Sequence, residues 1–193
     1  DRMKHHTLDV SNPESMQLAK SLIDEFMPLF TSKYFNICAD ETFDLGKGKS
    51  AGLAETKGTQ RMYLDFVKEL CGYVVSKGKI PMFWGDIMYR WPESCGELPK
   101  ETICLNWGYA PDQPEDAIKA IAESGITQYA CPGVCGWNMW MPLLDFAYRN
   151  NRIMCRHAHK YGAVGLLNTD WGDYGHVNDY RLSIPGILYG AAF

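Results

Sequence analysis

Apolar and polar positions follow one another along the chain in a repeating order. Ser11-Asn12-Pro13-Glu14 reads as a helix start, with Asn12 capping and Pro13 in the first turn. Leu18, Ala19, Leu22, Ile23, Phe26 and Met27 then recur on one helical face. A short apolar run at 34–39 predicts a strand. A second helix is predicted over 59–77, with Met62, Phe66, Leu70 and Tyr73 as its stripe and Gly78 at its left-handed end. Residues 80–84 and 102–107 give two more apolar runs. The helix between 107 and 127 is opened by Pro114, packed by Ile118, Ile121 and Ala122, and ended by Gly125. A fourth strand at 127–131, a helix at about 142–159 stopping before Gly162, and a fifth strand at 163–169 follow. A last helix begins near Ser183-Ile184-Pro185, and the chain is expected to end inside it.

Strands alternating with helices imply parallel strands joined by right-handed crossovers. The runs are continuously apolar, as in a sheet covered on both faces. The class is therefore α/β, and two architectures fit: an open doubly wound sheet, or part of a closed barrel. The dinucleotide-binding fingerprint is absent. Gly46-Lys47-Gly48-Lys49 lacks the spacing of a phosphate loop and is expected to be a flexible loop.

Composition narrows the function classes. With 193 residues, of which 46% are hydrophobic and 13% aromatic, the chain supports one core and reads as a single domain over 1–193. A net charge of −4 offers no basic stripe for phosphates, so no nucleic-acid partner is expected. No apolar run approaches the ~20 residues of a membrane span, so no membrane partner is expected either. The start, Asp1-Arg2-Met3-Lys4-His5-His6, is neither a signal peptide nor an ordinary translation start, and a preceding segment is expected. Of the seven cysteines, none forms a CxxC pair. Cys38, Cys71, Cys104 and Cys131 fall in apolar runs and are expected to be buried free thiols, as suits a reducing compartment.

The residues that carry chemistry sit where the apolar runs end: Asp40-Glu41, Trp84 and Asp86, Trp107 and Tyr109, Trp137 and Trp140, and Asp170, Trp171 and Asp173. In a parallel barrel those ends converge on the face that bears the active site, and in an open sheet they line a crevice. Adjacent strand residues point to opposite sides, so for both carboxylates to reach one ligand Glu41 must already lie in the loop above the strand. Desolvation and like charge let one such carboxyl remain an acid while the other stays ionised. An Asp-Glu-Thr sequence taken alone equally well caps a loop. Indoles stack on the apolar faces of pyranose rings, and carboxylates such as Asp86 and Asp173 bind hydroxyls. Trp84, Trp107 and Trp171 are read as pocket residues; Trp137 and Trp140 are evenly balanced between pocket and core. His157 and His159 fall on a helix away from these ends, and His176 follows Trp171 in a loop. No His joins the carboxylates at a strand end, so neither a metal nor another cofactor is expected.

At these residues the sequence resembles glycoside hydrolase family 20, the β-N-acetylhexosaminidases. The likeness runs from Leu8-Asp9-Val10-Ser11-Asn12-Pro13-Glu14-Ser15 through Tyr34-Phe35-Asn36-Ile37-Cys38-Ala39-Asp40-Glu41 to Phe83-Trp84-Gly85-Asp86, Trp107-Gly108-Tyr109 and Asp170-Trp171-Gly172-Asp173. The resemblance implies a partial (β/α)8 barrel with about five parallel strands, aligned with the fourth through eighth of the family. It implies an exo-acting enzyme that removes terminal β-linked GlcNAc or GalNAc from N-acetylhexosamine-containing glycans. Hydrolysis would be retaining and assisted by the substrate's own acetamido group, outside the usual two-carboxylate scheme. Asp40 would orient the acetamido group, Glu41 would serve as acid and then base, Trp84, Trp107 and Trp171 would box the acetamido methyl and the ring, and Asp173 would hold hydroxyls. Two departures stand out. Cys38-Ala39 replaces the family's Gly-Gly, and 132–138 lacks the family's acetamido-binding tyrosine, a place that Tyr109, Trp137 or Asn138 would have to fill. The alternatives are a catalytically silent carbohydrate-binding barrel and a barrel glycosidase with two distant carboxylates. Since such barrels take ~250 residues, the chain reads as the C-terminal portion of one. Its partner would be the missing N-terminal half-barrel of the parent chain. An exposed apolar sheet edge and poor activity alone are expected.

Overall fold

The computed structural model describes residues 6–175 and 177–193, so His176 lies outside the described residues. Strands and helices alternate as the apolar blocks predict. The strands are β1 (Tyr34–Asn36), β2 (Ile80–Trp84), β3 (Ile103–Trp107), β4 (Thr127–Cys131) and β5 (Gly165–Leu166), in sheet order β1-β2-β3-β4-β5. The helices are α1 (Pro13–Phe26), α2 (Ala51–Lys57), α3 (Thr59–Ser76), α4 (Asp116–Glu123), α5 (Leu144–Lys160) and α6 (Ile184–Ala192). The pairings of β1 with β2 and of β4 with β5 are parallel. The fold is α/β, a partial (β/α)8 barrel. By contacts the chain forms two compact units, 1–103 and 104–193.

In the first unit, α1 starts as its sequence dictates. Asn12 Oδ1 accepts the Glu14 N–H at 3.0 Å and Pro13 occupies the first turn. Ile23 and Met27 of the predicted α1 stripe pack with Leu70 and Val74 of α3. Leu18, Leu22 and Phe26 of the same stripe remain exposed. Leu22, Phe26 and Phe30 instead line an apolar groove of about 730 Å³ that runs along edge strand β1 past Tyr34, Phe35 and Ile37. The buried face of α3 is wider than its predicted stripe, with Tyr63, Leu64, Val67, Cys71 and Val74 joining Met62 and Leu70. The Gly46-Lys47-Gly48-Lys49 segment, expected as a flexible loop, runs through a turn into a 3-10 segment. Gly46 takes φ 79° and packs against Ala54 and Thr59, where an added Cβ would approach within 2.8 Å, and Gly48–Ser50 forms a 3-10 turn into α2.

In the second unit, Ile118, Ala130, Met154 and Ala158 form the core between β4, α4 and α5. Two buried amides cross it: the Asn106 Nδ2 donates to Gln128 Oε1 at 3.3 Å, and Gln128 Nε2 donates to the Ile118 carbonyl at 2.8 Å. β5 is far shorter than the predicted 163–169, although the parallel alignment continues as a single bridge between Gly133 and Thr169. His157 is a packing residue on α5, buried, with Nε2 2.9 Å from the Gln113 carbonyl oxygen. All seven cysteines are free; Cys71, Cys95, Cys104, Cys131 and Cys135 are buried. Cys38 is exposed, against expectation, because β1 ends two residues before it.

Candidate active site

The predicted carboxylate pair lies just past β1, on a segment with an unusual backbone. Cys38 (φ 63°), Ala39 (φ 70°) and Glu41 (φ 51°) are all left-handed. For residues other than glycine this costs ~1–2 kcal/mol each, and it persists only where the surroundings over-determine it. Here they do. The Cys38 N–H donates to Asn36 Oδ1 at 2.9 Å, and the Cys38 carbonyl accepts the Trp84 N–H at 2.9 Å. The buried Tyr63 of α3 donates its hydroxyl to the Ala39 carbonyl at 2.9 Å. The Glu41 N–H donates to Asp86 Oδ2 at 2.9 Å. The Glu41 carbonyl accepts the Phe43 N–H at 2.7 Å, and His6 Nε2 lies 2.8 Å from the same oxygen.

This geometry bears directly on the carboxylates. A continued strand would have sent Asp40 and Glu41 to opposite faces. The strand has ended, and the left-handed turn at Glu41 breaks that alternation. Both residues are half-buried, as is Asp86, while Trp84 is buried. Cys38 is exposed as a residue yet lines the groove beside β1, and its thiol is held above its ordinary value by partial desolvation there and then by the charge of Asp40, which favours the protonated, poorly nucleophilic form.

The backbone also gives the departure from Gly-Gly a physical meaning: two successive left-handed positions are those glycine fills without strain. Cys38→Gly is therefore expected to stabilise the fold by on the order of 0.5 kcal/mol, the relieved strain exceeding the added unfolded-chain entropy. Ala39→Val should destabilise it by about 1–2 kcal/mol, because a β-branched residue tolerates positive φ worst. Urea unfolding of both variants checks this, and shifts of the same sign for the two would sink it.

In the second unit, four predicted residues form one aromatic cluster centred on Tyr109. Its ring stacks on Trp107 at 5.2 Å and 13°, and meets Trp137 edge-on at 4.8 Å and 72°. Trp171 Nε1 donates to the Tyr109 hydroxyl at 2.8 Å. The cluster requires Gly133, where an added Cβ would stand 2.8 Å from Trp137 and 3.0 Å from Tyr109. Asp173 opens a 3-10 turn, Asp173–Gly175, and is half-buried; Asp170 and Trp140 are exposed, Trp140 at 80%.

The loops behind the cluster hang on Asn150 of α5, which is fully buried. Its Oδ1 accepts the Gly133 N–H at 3.0 Å, and its Nδ2 donates to the carbonyls of Gly108 (2.9 Å) and Ala110 (2.8 Å). Asn151 Nδ2 donates to the Gly133 carbonyl at 3.1 Å. Tyr63, His6 and Asn150 escape sequence reasoning, because each grips main-chain atoms far off in the chain, and such contacts leave no spacing pattern, whereas Asn36 binds the Cys38 N–H only two residues on, a local turn signal. Among the described residues, no group of three or more His, Cys, Asp or Glu could hold a metal ion, and no helix is long and apolar enough to cross a membrane.

Comparison with known proteins agrees with this picture. The family model "Glycosyl hydrolase family 20, catalytic domain" matches residues 2–140. A lacto-N-biosidase from Bifidobacterium bifidum is 29% identical over 180 residues, covering 88% of this chain and 14% of that protein. The crystal structure of a β-N-acetylhexosaminidase from Bacteroides fragilis has the same fold, with a TM-score of 0.63 at 17% identity over 92% of this chain and 40% of that one. The chain thus spans well under half the length of either. With the family model matching well over half of its residues, the chain belongs to glycosyl hydrolase family 20 and carries part of its catalytic domain.

Proposed function

We propose that this chain supplies the acid–base centre of an exo-acting β-N-acetylhexosaminidase, which removes terminal β-linked GlcNAc or GalNAc with retention of configuration. The observation that carries the reading is the clamped, left-handed segment that presents Asp40 and Glu41 at the end of β1. Asp40 orients the 2-acetamido group and supports the charge that develops on it. The acetamido oxygen attacks the anomeric carbon while the Glu41 carboxyl gives its proton to the departing glycosidic oxygen. Glu41, now a carboxylate, takes a proton from the water that opens the oxazolinium ring, and the free hemiacetal leaves with its original configuration. Trp84, Trp107 and Trp171 are the proposed walls for the acetamido methyl and the sugar ring, with Tyr109 and Trp137 completing the aromatic surface. Asp173 is proposed to bind sugar hydroxyls. Asp86 is proposed to act on the peptide that carries Glu41 as well as on substrate hydroxyls.

The test is a paired assay on the full-length protein that carries this chain. A chromogenic β-N-acetylglucosaminide should turn over at least about a thousandfold faster than the matching β-glucoside, because the glucoside lacks the internal nucleophile. A thiazoline that mimics the oxazolinium should inhibit. Equal turnover of the two glycosides would favour a two-carboxylate glycosidase, and binding of GlcNAc without turnover a silent carbohydrate-binding barrel.

A further inference from the structure

His6 takes no part in the chemistry just described, yet its ring sits on the residue proposed to perform it. Nε2 lies 2.8 Å from the Glu41 carbonyl oxygen. A carbonyl only accepts, so Nε2 carries the proton and donates it. On the other side of the ring Nδ1 faces Asp44 Oδ1 at 3.9 Å, and the ring lies against Phe43 with centroids 6.2 Å apart. His6 therefore engages Glu41, Phe43 and Asp44, three residues of one loop, from 35 positions away in the chain.

The contact matters because of the state of Glu41. Its backbone is left-handed at φ 51°, and a single non-glycine residue in that well relaxes to the right-handed one unless it is held. Such a flip would reorient both flanking peptides and swing the carboxyl with them. Glu41 is held at both ends. Its N–H goes to Asp86, and its carbonyl oxygen has both lone pairs taken, one by the Phe43 N–H and one by His6. His6 is itself exposed, so it buries little surface and adds little to global stability. What it fixes is local.

We propose that His6 is a positioning residue for Glu41: by donating to the Glu41 carbonyl it locks the left-handed conformation that aims the carboxyl at the leaving oxygen. The inference rests on Glu41 being the proton donor in the reaction proposed above. It predicts a dependence on the leaving group. An alkyl N-acetylglucosaminide needs its leaving oxygen protonated, whereas an activated dinitrophenyl glycoside does not. In the full-length protein, His6→Ala is expected to lower kcat about tenfold on the alkyl substrate. KM should change little on that substrate, and kcat/KM for the activated one, which reports only the step that expels the aglycone, should be nearly unaffected. His6→Gln keeps an N–H donor and should recover most of the loss. Hydrogen exchange over residues 38–45 should quicken in His6→Ala and return towards wild type in His6→Gln.

Equal loss of kcat/KM on both substrates, or no loss on either, overturns the proposal; the first would mean general damage to the fold. Glu41→Ala serves as the reference. If it abolishes turnover of the alkyl substrate while His6→Ala matches wild type, the role of His6 alone fails. If Glu41→Ala leaves that turnover intact, the assignment of Glu41 fails and the role of His6 with it.

Discussion

Glu41→Ala should cut turnover of an unactivated N-acetylhexosaminide by about a thousandfold or more, the loss expected when general acid and general base disappear together. The two halves of its role can be separated. With a dinitrophenyl leaving group the first step no longer needs a proton, so the oxazolinium forms and then waits for a base. An anionic nucleophile such as azide needs no base, so added azide should restore turnover of the Glu41→Ala variant and yield a β-glycosyl azide. Asp40→Asn should show a comparable loss, but azide should not rescue it. Without the Asp40 carboxylate the acetamido group is neither oriented nor supported as charge develops, so the intermediate is not formed. Rescue of both variants, or of neither, would contradict the division of labour between the two carboxyls.

The second large effect concerns stability. Asn150→Leu preserves much of the side-chain volume but leaves the Gly133 N–H and the Gly108 and Ala110 carbonyls without their buried partner. At ~1–3 kcal/mol for each buried group left unsatisfied, the expected loss is about 3 kcal/mol or more. For a chain of this size that is a fall of about 10 °C in Tm. Asn150→Asp should be worse, since it turns two donated bonds into a carboxylate facing two carbonyl oxygens in a buried site. Denaturant unfolding with amide exchange at Gly133 measures both variants. An Asn150→Leu protein within about 1 kcal/mol of wild type would mean that water replaces the lost contacts.

The sequence was most readable where glycines punctuate it. β2 and β4 begin and end where expected, each preceded by a left-handed glycine, Gly78 at φ 77° and Gly125 at φ 80°. It misled where apolar residues continue past the ladder. Ile37, Cys38 and Ala39 look like strand, but the backbone has turned left-handed at Cys38. The run at 163–169 keeps only Gly165–Leu166 as a strand. α2 went unseen because Gly46, Gly48 and Gly58 flank it, Gly52 lies within it, and it buries no residue. At the site, the residues standing at strand ends were legible because an apolar run stopping on a carboxylate or an indole is itself a signal. Tyr63, Asn150 and His6 were not, because a side chain that binds a distant peptide group carries no local pattern.

Asn150 touches only main-chain atoms of the two loops it secures. The course of those loops is thus set in large part by a helix residue outside them, aided from within by Gln113, whose Oε1 accepts the Ala110 N–H at 3.1 Å. Residues 111–112 and 139–141 become natural places for a combinatorial library: they can be exchanged, or transplanted from a homologue, while Gly108, Ala110, Gln113, Gly133, Asn138 and Asn150 stay fixed as the graft points. Selection for a different aglycone could then proceed on a frame that does not have to be redesigned each time.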